Sequence, residues 1–195
     1  MKDKTGKVLS RSEGEAIMKG RASVVISICA AFLALCAMVG NGYSSRVLNG
    51  TLSANDTWNF YQAKSIKQTV YQQTVADLEV QLLDANISAE QKAAVTRKLT
   101  EARITVERYE SDPATGEGKK ELMARAHRIE EDRDAARKKG AWFSAASTGL
   151  QIGIVLASSS ILAVSMMFLW AGITAGSVGV GLFLLGFLTN IAWPL

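Results

Sequence analysis

The fold is decided by residues 140–195, GAWFSAASTGLQIGIVLASSSILAVSMMFLWAGITAGSVGVGLFLLGFLTNIAWPL, in which no residue is charged. All 22 Lys and Arg residues lie at or before Lys139, and the last of the 18 acidic residues is Asp134. A soluble domain would not leave more than a quarter of its chain uncharged, because it needs polar surface to remain in water. The composition therefore predicts an integral membrane protein, and the net charge of +4 describes no single surface.

Three apolar segments are long enough to cross a bilayer. The first, residues 22–41, follows a basic tail of residues 1–21. Its apolar run exceeds the roughly 7–15 residues of a signal peptide, so we expect a retained anchor. The uncharged stretch is too long for one span, and we expect transmembrane helices at 141–169 and 172–193 with a tight turn near Trp170. The predicted fold class is an all-α membrane protein with three transmembrane helices.

Small residues recur on one face of the predicted second and third spans. Such faces let helix backbones approach closely in lipid and so favour helix association. Two interpretations remain open: self-association of copies into an oligomer, or packing of one span on the other within a single chain. We expect the oligomer, because five small residues in register exceed what one hairpin seam needs. The predicted packing residues are Ala141, Ala145, Gly149, Gly153, Ala157, Gly172 and Gly176.

Polar residues deep within the spans are few, and none of them is Asp, Glu, Lys, Arg or His. Proton-coupled transport and charge-gated sensing normally need an ionisable group there, so the sequence argues against both. Gln151 and Ser158 are candidates to line a pore in an oligomer, while hydrogen bonding to a neighbouring helix is the alternative role of Gln151. Cys29 and Cys36 lie seven residues apart on one helical face and are predicted to be packing residues.

The region between the first two spans is polar, charged and rich in helix-forming residues. We expect a linker at residues 42–56 and a helical, coiled-coil-like region at 57–140, because apolar residues repeat with 4-3 spacing from Tyr71 onward. A capping box that begins at Ser88 predicts a helix start there. Two arrangements remain open: a long helix that folds back at Pro113 as a projecting hairpin, or a first helix that lies along the membrane surface. The projecting hairpin is the prediction.

An aromatic and basic motif opens this helical region, reading NDTWNFYQAKSIK at residues 55–67. In one interpretation Trp58 and Tyr61 anchor the start of the helix at the lipid headgroups. Lys64 and Lys67 then pair with phosphates. In the other interpretation, the same four residues form a patch that binds a protein or lipid partner. Anchoring alone requires these residue types, so a membrane-interface anchor is the expected role.

The motif resembles a family of small bacterial membrane proteins known only as a domain of unknown function. Its members share the pattern W-x-[FY]-Y-Q-[AS]-K-S-I-[KR] after one N-terminal span. Residues 130–134 and 150–152 are similar to later segments of the family. The resemblance implies three spans with a helical region between the first and the second. It implies no activity, substrate or cofactor.

The acidic residues Glu130, Glu131 and Asp134 are candidates for carboxylate rings in an oligomer, which attract cations at channel mouths. The alternative is a solvated helix face with local salt bridges. His127 is the only histidine and cannot supply a metal or acid–base constellation by itself. Basic residues alternate with acidic ones, so no nucleic-acid partner is expected. The sequence carries no catalytic, cofactor or metal-binding motif.

The sequence therefore predicts a non-enzymatic membrane protein that self-associates through its small-residue spans and projects a helical hairpin as a scaffold or partner-binding arm. The alternative is a pore-forming, ion-channel-like subunit of a homo-oligomer. The expected partners are the lipid bilayer, further copies of the chain and another membrane or envelope protein. By the positive-inside rule, we expect a multi-pass protein of the bacterial inner membrane, with a cytoplasmic N-terminus and residues 42–140 outside the cytoplasm.

Overall fold

The computed structural model describes residues 11–188, and four α-helices account for nearly all of that range. Residues 1–10 of the predicted basic tail and residues 189–193 of the predicted third span lie outside the described residues. Within the described range there is no strand, which confirms the all-α class. The helices are α1, Arg11–Leu82; α2, Ala89–Glu110; α3, Lys119–Ala163; and α4, Met166–Leu188.

Three of these helices, α1, α3 and α4, are long and apolar enough to cross a membrane. A helix needs about 20 mostly apolar residues to cross a bilayer core of about 30 Å. The chain is therefore a multi-pass membrane protein, as its uncharged stretch predicts. Its described residues divide into two compact units: the membrane unit, residues 11–47 and 134–188, and the helical arm, residues 48–133.

The predicted linker at residues 42–56 is wrong, because α1 is helical throughout this segment. Glycines there suggest a loop, since each costs roughly 1 kcal/mol within a helix. In the structure a Cβ atom at Gly50 would lie 3.0 Å from the Cβ of Arg133. Just before the segment, a Cβ at Gly40 would lie 3.7 Å from the Cβ of Phe143. At Gly50, packing against α3 therefore outweighs the local preference of glycine for a turn, whereas a Cβ atom at Gly42 would meet nothing within 4 Å.

In the helical arm, α2 and the start of α3 both run antiparallel to α1. Arg103 of α2 forms an ion pair with Glu79 of α1 at 2.6 Å. Further along the chain, Glu130 of α3 accepts a hydrogen bond from Trp58 of α1 at 3.0 Å. Residue numbers thus rise along α2 and α3 as they fall along α1. One after the other, α2 and the start of α3 therefore pack along α1 in the opposite direction.

The arm turns back at residues 83–88, so the predicted fold-back at Pro113 is wrong. Ser88 is the N-cap of α2 and forms a capping box, as predicted: its hydroxyl accepts from the backbone N–H of Gln91, and the Gln91 side chain accepts from the backbone N–H of Ser88. Pro113 lies in a second break, between two helices that run in the same direction. Residues 57–82 belong to α1 and form no separate helix that could lie on a membrane surface.

In the membrane unit, α4 runs parallel to the N-terminal part of α1, and α3 runs antiparallel to both. Leu169, near the start of α4, packs with Ala22, while Phe183, near its end, meets Phe32 with ring centres 5.9 Å apart. Both cysteines are buried free thiols, in keeping with their predicted packing role. The central core cluster is formed by Cys29, Cys36, Phe143, Ala146, Leu150 and Phe183.

The break between the last two membrane helices lies at residues 164–165, so the turn predicted near Trp170 is wrong. Trp170 lies inside α4. Val164 has φ +47°, a left-handed conformation that is rare for a β-branched residue. The backbone N–H of Ser165 donates to the carbonyl oxygen of Ser160 at 3.3 Å and closes the end of α3. An apolar residue gives no local turn signal, which is why the sequence misplaces this boundary.

Candidate functional site

The motif at residues 55–67 lies in the helical arm, where α1 meets the end of α2 and the start of α3. Its side chains contact these helices through hydrogen bonds, an ion pair and ring contacts. We call this cluster the polar junction. Its members are Trp58, Tyr61, Lys64, Gln68, Tyr109, Glu110, Glu117, Lys119 and Glu130.

Gln68 joins all three helices of the arm, although it is only 6% exposed. Its Nε2 donates to the carbonyl oxygen of Val106 at 3.3 Å and to Glu110 Oε2 at 3.0 Å. Its Oε1 accepts from Lys119 Nζ at 2.8 Å. Lys119 Nζ also lies 3.5 Å from Glu110 Oε2. Since buried polar groups are costly without partners, this amide ties α2 and α3 to one register on α1.

Two lysines add charge and aromatic contacts to the polar junction. Lys64 Nζ lies 3.1 Å from Glu117 Oε2 and 5.5 Å from the ring centre of Tyr109, and its side chain is only 16% exposed. Lys119 Nζ lies 5.6 Å from the ring centre of Tyr61. An ammonium over an aromatic face gains about 0.5–1 kcal/mol even at exposed sites. Both cations therefore find their partners within the arm.

Trp58 contacts α3 through both its ring and its indole N–H. Nε1 donates to Glu130 Oε1 at 3.0 Å. The indole meets the rings of Tyr61 and His127 edge-on, with ring centres 5.5 Å apart in each case. His127 Nδ1 in turn lies 3.4 Å from Glu130 Oε2. The single donor of this half-buried indole is thus satisfied inside the arm, as buried Trp usually requires.

The break between α2 and α3 is held by side-chain caps that set where α3 begins. Glu121 Oε1 accepts from Ser111 Oγ at 2.6 Å, and Glu121 Oε2 accepts from the backbone N–H of Asp112 at 3.1 Å. The hydrogen bond from the Ser111 hydroxyl holds the pKa of Glu121 below its usual range. Gly116 has φ +70°, a conformation that favours glycine. Gly118 has no space for a Cβ atom beside the Glu121 carboxylate.

The arm is expected to lose stability on acidification because of Glu110. The hydrogen bond from Gln68, followed by the charge of Lys119, holds the pKa of this carboxyl below its usual value. A carboxyl whose pKa is lower in the folded state stabilises the fold above its ordinary pKa, and this contribution disappears as the pH falls through the lowered value. Protection of α2 amides from hydrogen exchange, corrected for intrinsic rates, should therefore fall from about pH 5 downward.

Glu110→Gln should weaken this dependence, because the variant lacks the carboxyl whose pKa is lowered by Gln68 and Lys119. Glu107→Gln is the matched control, since Glu107 is exposed on the same helix. Equal pH dependence of exchange in the two variants would show that Glu110 does not carry the effect.

The polar junction contains three of the four predicted anchor residues. Trp58, Tyr61 and Lys64 are half-buried against α2 and α3, whereas Lys67 is exposed. Their aromatic and cationic groups, which the sequence assigns to lipid headgroups, have partners from the chain itself. The motif therefore has a structural role in joining the helices of the arm.

Sequence reasoning misses Gln68, Glu110 and Lys119. Gln68 and Lys119 are 51 positions apart, and no local pattern predicts their contact. One feature of the sequence nevertheless indicates that Gln68 is buried. Gln68 falls on a stripe with 4-3 spacing that includes the buried residues Ala54 and Leu78. A polar residue on such a stripe marks a specific buried contact.

The residues of the predicted cation ring have different environments on α3. Glu130 belongs to the polar junction, where it accepts from Trp58, whereas Glu131 and Asp134 are exposed. Within residues 11–188, no group of three or more His, Cys, Asp or Glu side chains is arranged to hold a metal ion.

The predicted small-residue face packs α3 against α4 within one chain. A Cβ atom at Gly153 would lie 2.9 Å from the Cα of Gly176, and one at Gly172 would lie 2.8 Å from the backbone nitrogen of Ala157. These are backbone-to-backbone approaches, which only small residues permit. They correspond to the single-chain packing that the sequence leaves open beside self-association. The remaining predicted packing residues, all half-buried, are Ala141, Ala145 and Gly149.

A family model described as Domain of unknown function (DUF4337) matches residues 18–189. The match begins before the first predicted span and includes the whole helical arm. It confirms the resemblance to a family of unknown function that the motif suggests. No curated protein and no solved structure matches the chain.

Proposed function

Because the chain belongs to the DUF4337 family, whose description gives no function, we propose its role from its own geometry: a non-enzymatic membrane scaffold that self-associates within the bilayer. Its spans form the assembly, and its helical arm presents a surface to a further membrane or envelope protein. The proposal rests first on one side chain, Gln151.

Gln151 is a polar residue on an exposed face of the membrane helix α3. Its amide has no hydrogen-bond partner among residues 12–188, the part of the chain whose side chains are described. The neighbouring hydroxyls differ, since Thr148 donates to Ser144 and Ser159 donates to Val155 within their own helix. An amide in hydrocarbon is stabilised by a hydrogen bond to another helix. A second copy of the chain, carrying its own Gln151, supplies that partner.

The surface that supports self-association therefore differs from the small-residue face. Gly153 and Gly172 already contact backbone atoms within the chain. Ile152 and Val155, beside Gln151, are 50% and 62% exposed. We place the contact between copies on this side of α3, with Gln151 at its centre and apolar side chains around it. Ser158, the other predicted pore residue, is half-buried on the same helix.

The helical arm supports the scaffold role through apolar residues on its outer surface. Leu52, Ile66, Val70 and Val80 of α1 are each at least 55% exposed. Leu52, Ile66 and Val80 are spaced by multiples of seven residues and so share one helix face. Exposed apolar stripes on polar helices mark protein contacts. We assign this stripe to a partner that is itself an apolar helix face.

The proposed orientation places the arm outside the cytoplasm of a bacterial inner membrane. Lys19 and Arg21 precede the first apolar run of α1, and more basic residues lie before them in the sequence. The turn between α3 and α4 carries no charge and does not oppose this orientation. Basic residues close to the first span favour a cytoplasmic N-terminus.

Gln151→Leu is expected to weaken association by about 1 kcal/mol per contact between copies. Native mass spectrometry of the purified protein should then show less oligomer and more monomer. The substitution removes the amide and keeps an apolar side chain of similar size. Thr148→Val is the matched control, because the Thr148 hydroxyl is already satisfied within its own helix. A wild-type protein that is monomeric at all concentrations would contradict the proposal, and so would an oligomer that Gln151→Leu leaves unchanged.

A pore is the second candidate function, and the same exposed amide favours it. In an oligomer, copies of Gln151 can form a polar ring along a conduit, with the acidic residues Glu131 and Asp134 attracting cations at its mouth. Planar-bilayer recording separates the two roles. Conductance that changes in Gln151→Leu would support the pore, whereas a silent oligomer across ions and voltages would support the scaffold.

A further inference from the structure

An open apolar groove runs between α1 and α4 in the membrane unit. It consists of two adjoining cavities of about 580 Å3 and 330 Å3, and Val25 and Ile173 line both of them. Gly20 of α1 also lines it, and a Cβ atom built there would meet no neighbouring atom within 4 Å. The groove is therefore continuous along the two helices.

The part of the groove beyond Arg21 matches one leaflet of a bilayer. On α1 the whole lining extends from Ile17 to Phe32, a rise of about 22 Å along a helix, and the part from Arg21 to Phe32 rises about 16 Å. Half of a hydrocarbon core of about 30 Å is about 15 Å. At the far end Phe32 packs edge-to-face on Phe183. An extended acyl chain fits such a groove from the membrane surface towards its midplane.

The two ends of the groove differ in charge. Arg21 lines one end together with Trp170, and the other end is formed by apolar residues and Ser177. Arg21 is exposed and has no ion pair among residues 12–188, where side chains are described. Arg21 directly precedes the first apolar run. We therefore place its guanidinium at the depth of the lipid phosphates. Indole rings prefer the same depth.

We propose that this groove binds an anionic phospholipid of the bilayer, with its phosphate on the Arg21 guanidinium and one acyl chain between α1 and α4. An arginine offers paired N–H donors that match phosphate oxygens. An apolar peptide would fill the groove but leave the guanidinium without a partner. A free phosphate would satisfy Arg21 but leave the apolar groove empty. A phospholipid satisfies both parts, and this binding does not depend on the proposed self-association.

The test uses the full-length protein in mild detergent with equal amounts of phosphatidylglycerol and phosphatidylcholine of the same acyl chains. Native mass spectrometry should show about fivefold more bound phosphatidylglycerol than phosphatidylcholine. Arg21→Gln should bring the two lipids close to equal occupancy. Lys19→Gln removes the same charge two residues away, does not line the groove, and should keep the preference. Equal retention of both lipids by the wild type, or equal loss in the two variants, would overturn the proposal.

A second pair of variants tests the acyl-chain part. Ile28 lines the groove and is 51% exposed, so Ile28→Trp should fill it and reduce binding of both lipids at least fivefold. Val178→Trp, at an exposed position on α4 that does not line the groove, should leave binding unchanged. Wild-type helical circular dichroism in both variants establishes that they are folded. Lipid binding that persists in folded Ile28→Trp would refute the groove as its location.

Discussion

Gly172→Leu is expected to lower the free energy of unfolding of the membrane unit by about 3 kcal/mol. A Cβ atom at Gly172 would lie 2.8 Å from the backbone nitrogen of Ala157 and 3.0 Å from the carbonyl oxygen of Gly153. Both atoms belong to the backbone of α3 and cannot rotate away, so α3 and α4 must separate to admit the side chain. Separation removes packing contacts, which stabilise helix pairs in membranes.

Gly181→Leu is the matched control on the same helix, because no atom lies within 4 Å of a Cβ built at Gly181. Unfolding in mixed micelles of a mild detergent and increasing sodium dodecyl sulfate, followed by circular dichroism, measures both variants. Gly172→Leu should unfold at a clearly lower mole fraction of dodecyl sulfate than the wild type. Gly181→Leu should unfold at nearly the same mole fraction as the wild type. If Gly172→Leu instead keeps wild-type stability but dissociates an oligomer, the glycine acts between copies rather than within the chain.

Gln68→Leu is expected to destabilise the helical arm by about 2 kcal/mol. The variant removes the donor to Val106 and Glu110 and the acceptor for Lys119. Leucine has similar size, so the loss reflects polar groups left without partners rather than a cavity. Because Gln68 contacts both α2 and α3, the end of one helix and the start of the other should open together.

Hydrogen exchange of the full-length protein measures this effect locally. Amides in the last turn of α2 and in the second turn of α3, which are hydrogen-bonded within their helices, should exchange about 30-fold faster in Gln68→Leu, the ratio that corresponds to 2 kcal/mol. Gln72→Leu, at an exposed position one turn further along α1, should leave these amides protected. Faster exchange confined to a single helix would contradict the role of Gln68 in joining both.

The motif at residues 55–67 shows how much of a segment's role can be predicted from its residue types alone. Trp, Tyr and Lys at the start of a helix suit a membrane interface, and the same types suit a junction between helices. The structure gives Trp58 a hydrogen bond to Glu130 and gives Lys64 an ion pair with Glu117. These partners lie more than 50 positions away, so local sequence could not distinguish the two roles.

The regular spacing on α1 extends much further than the sequence suggests. From Ala22 to Leu82, positions three or four residues apart are buried or half-buried almost throughout, with Tyr71 the exception at 38% exposure. The sequence reveals this stripe only from Tyr71 onward, because its earlier members include glycine, threonine, lysine and glutamine. Burial of such residues depends on what α3 and α2 place opposite them. The stripe is therefore a tertiary feature over most of its length.

The sequence by itself determined the class of the protein, its three membrane-crossing helices, the capping box at Ser88 and the family. These follow from hydropathy, charge and local hydrogen bonding, which act over a few neighbouring residues. Only the tertiary structure decided that α1 continues through residues 42–56, that α3 ends at Ala163, and that the small-residue face packs within the chain. The reason is physical: whether a glycine ends a helix or admits a neighbouring one depends on the residue that packs against it from a distant part of the chain.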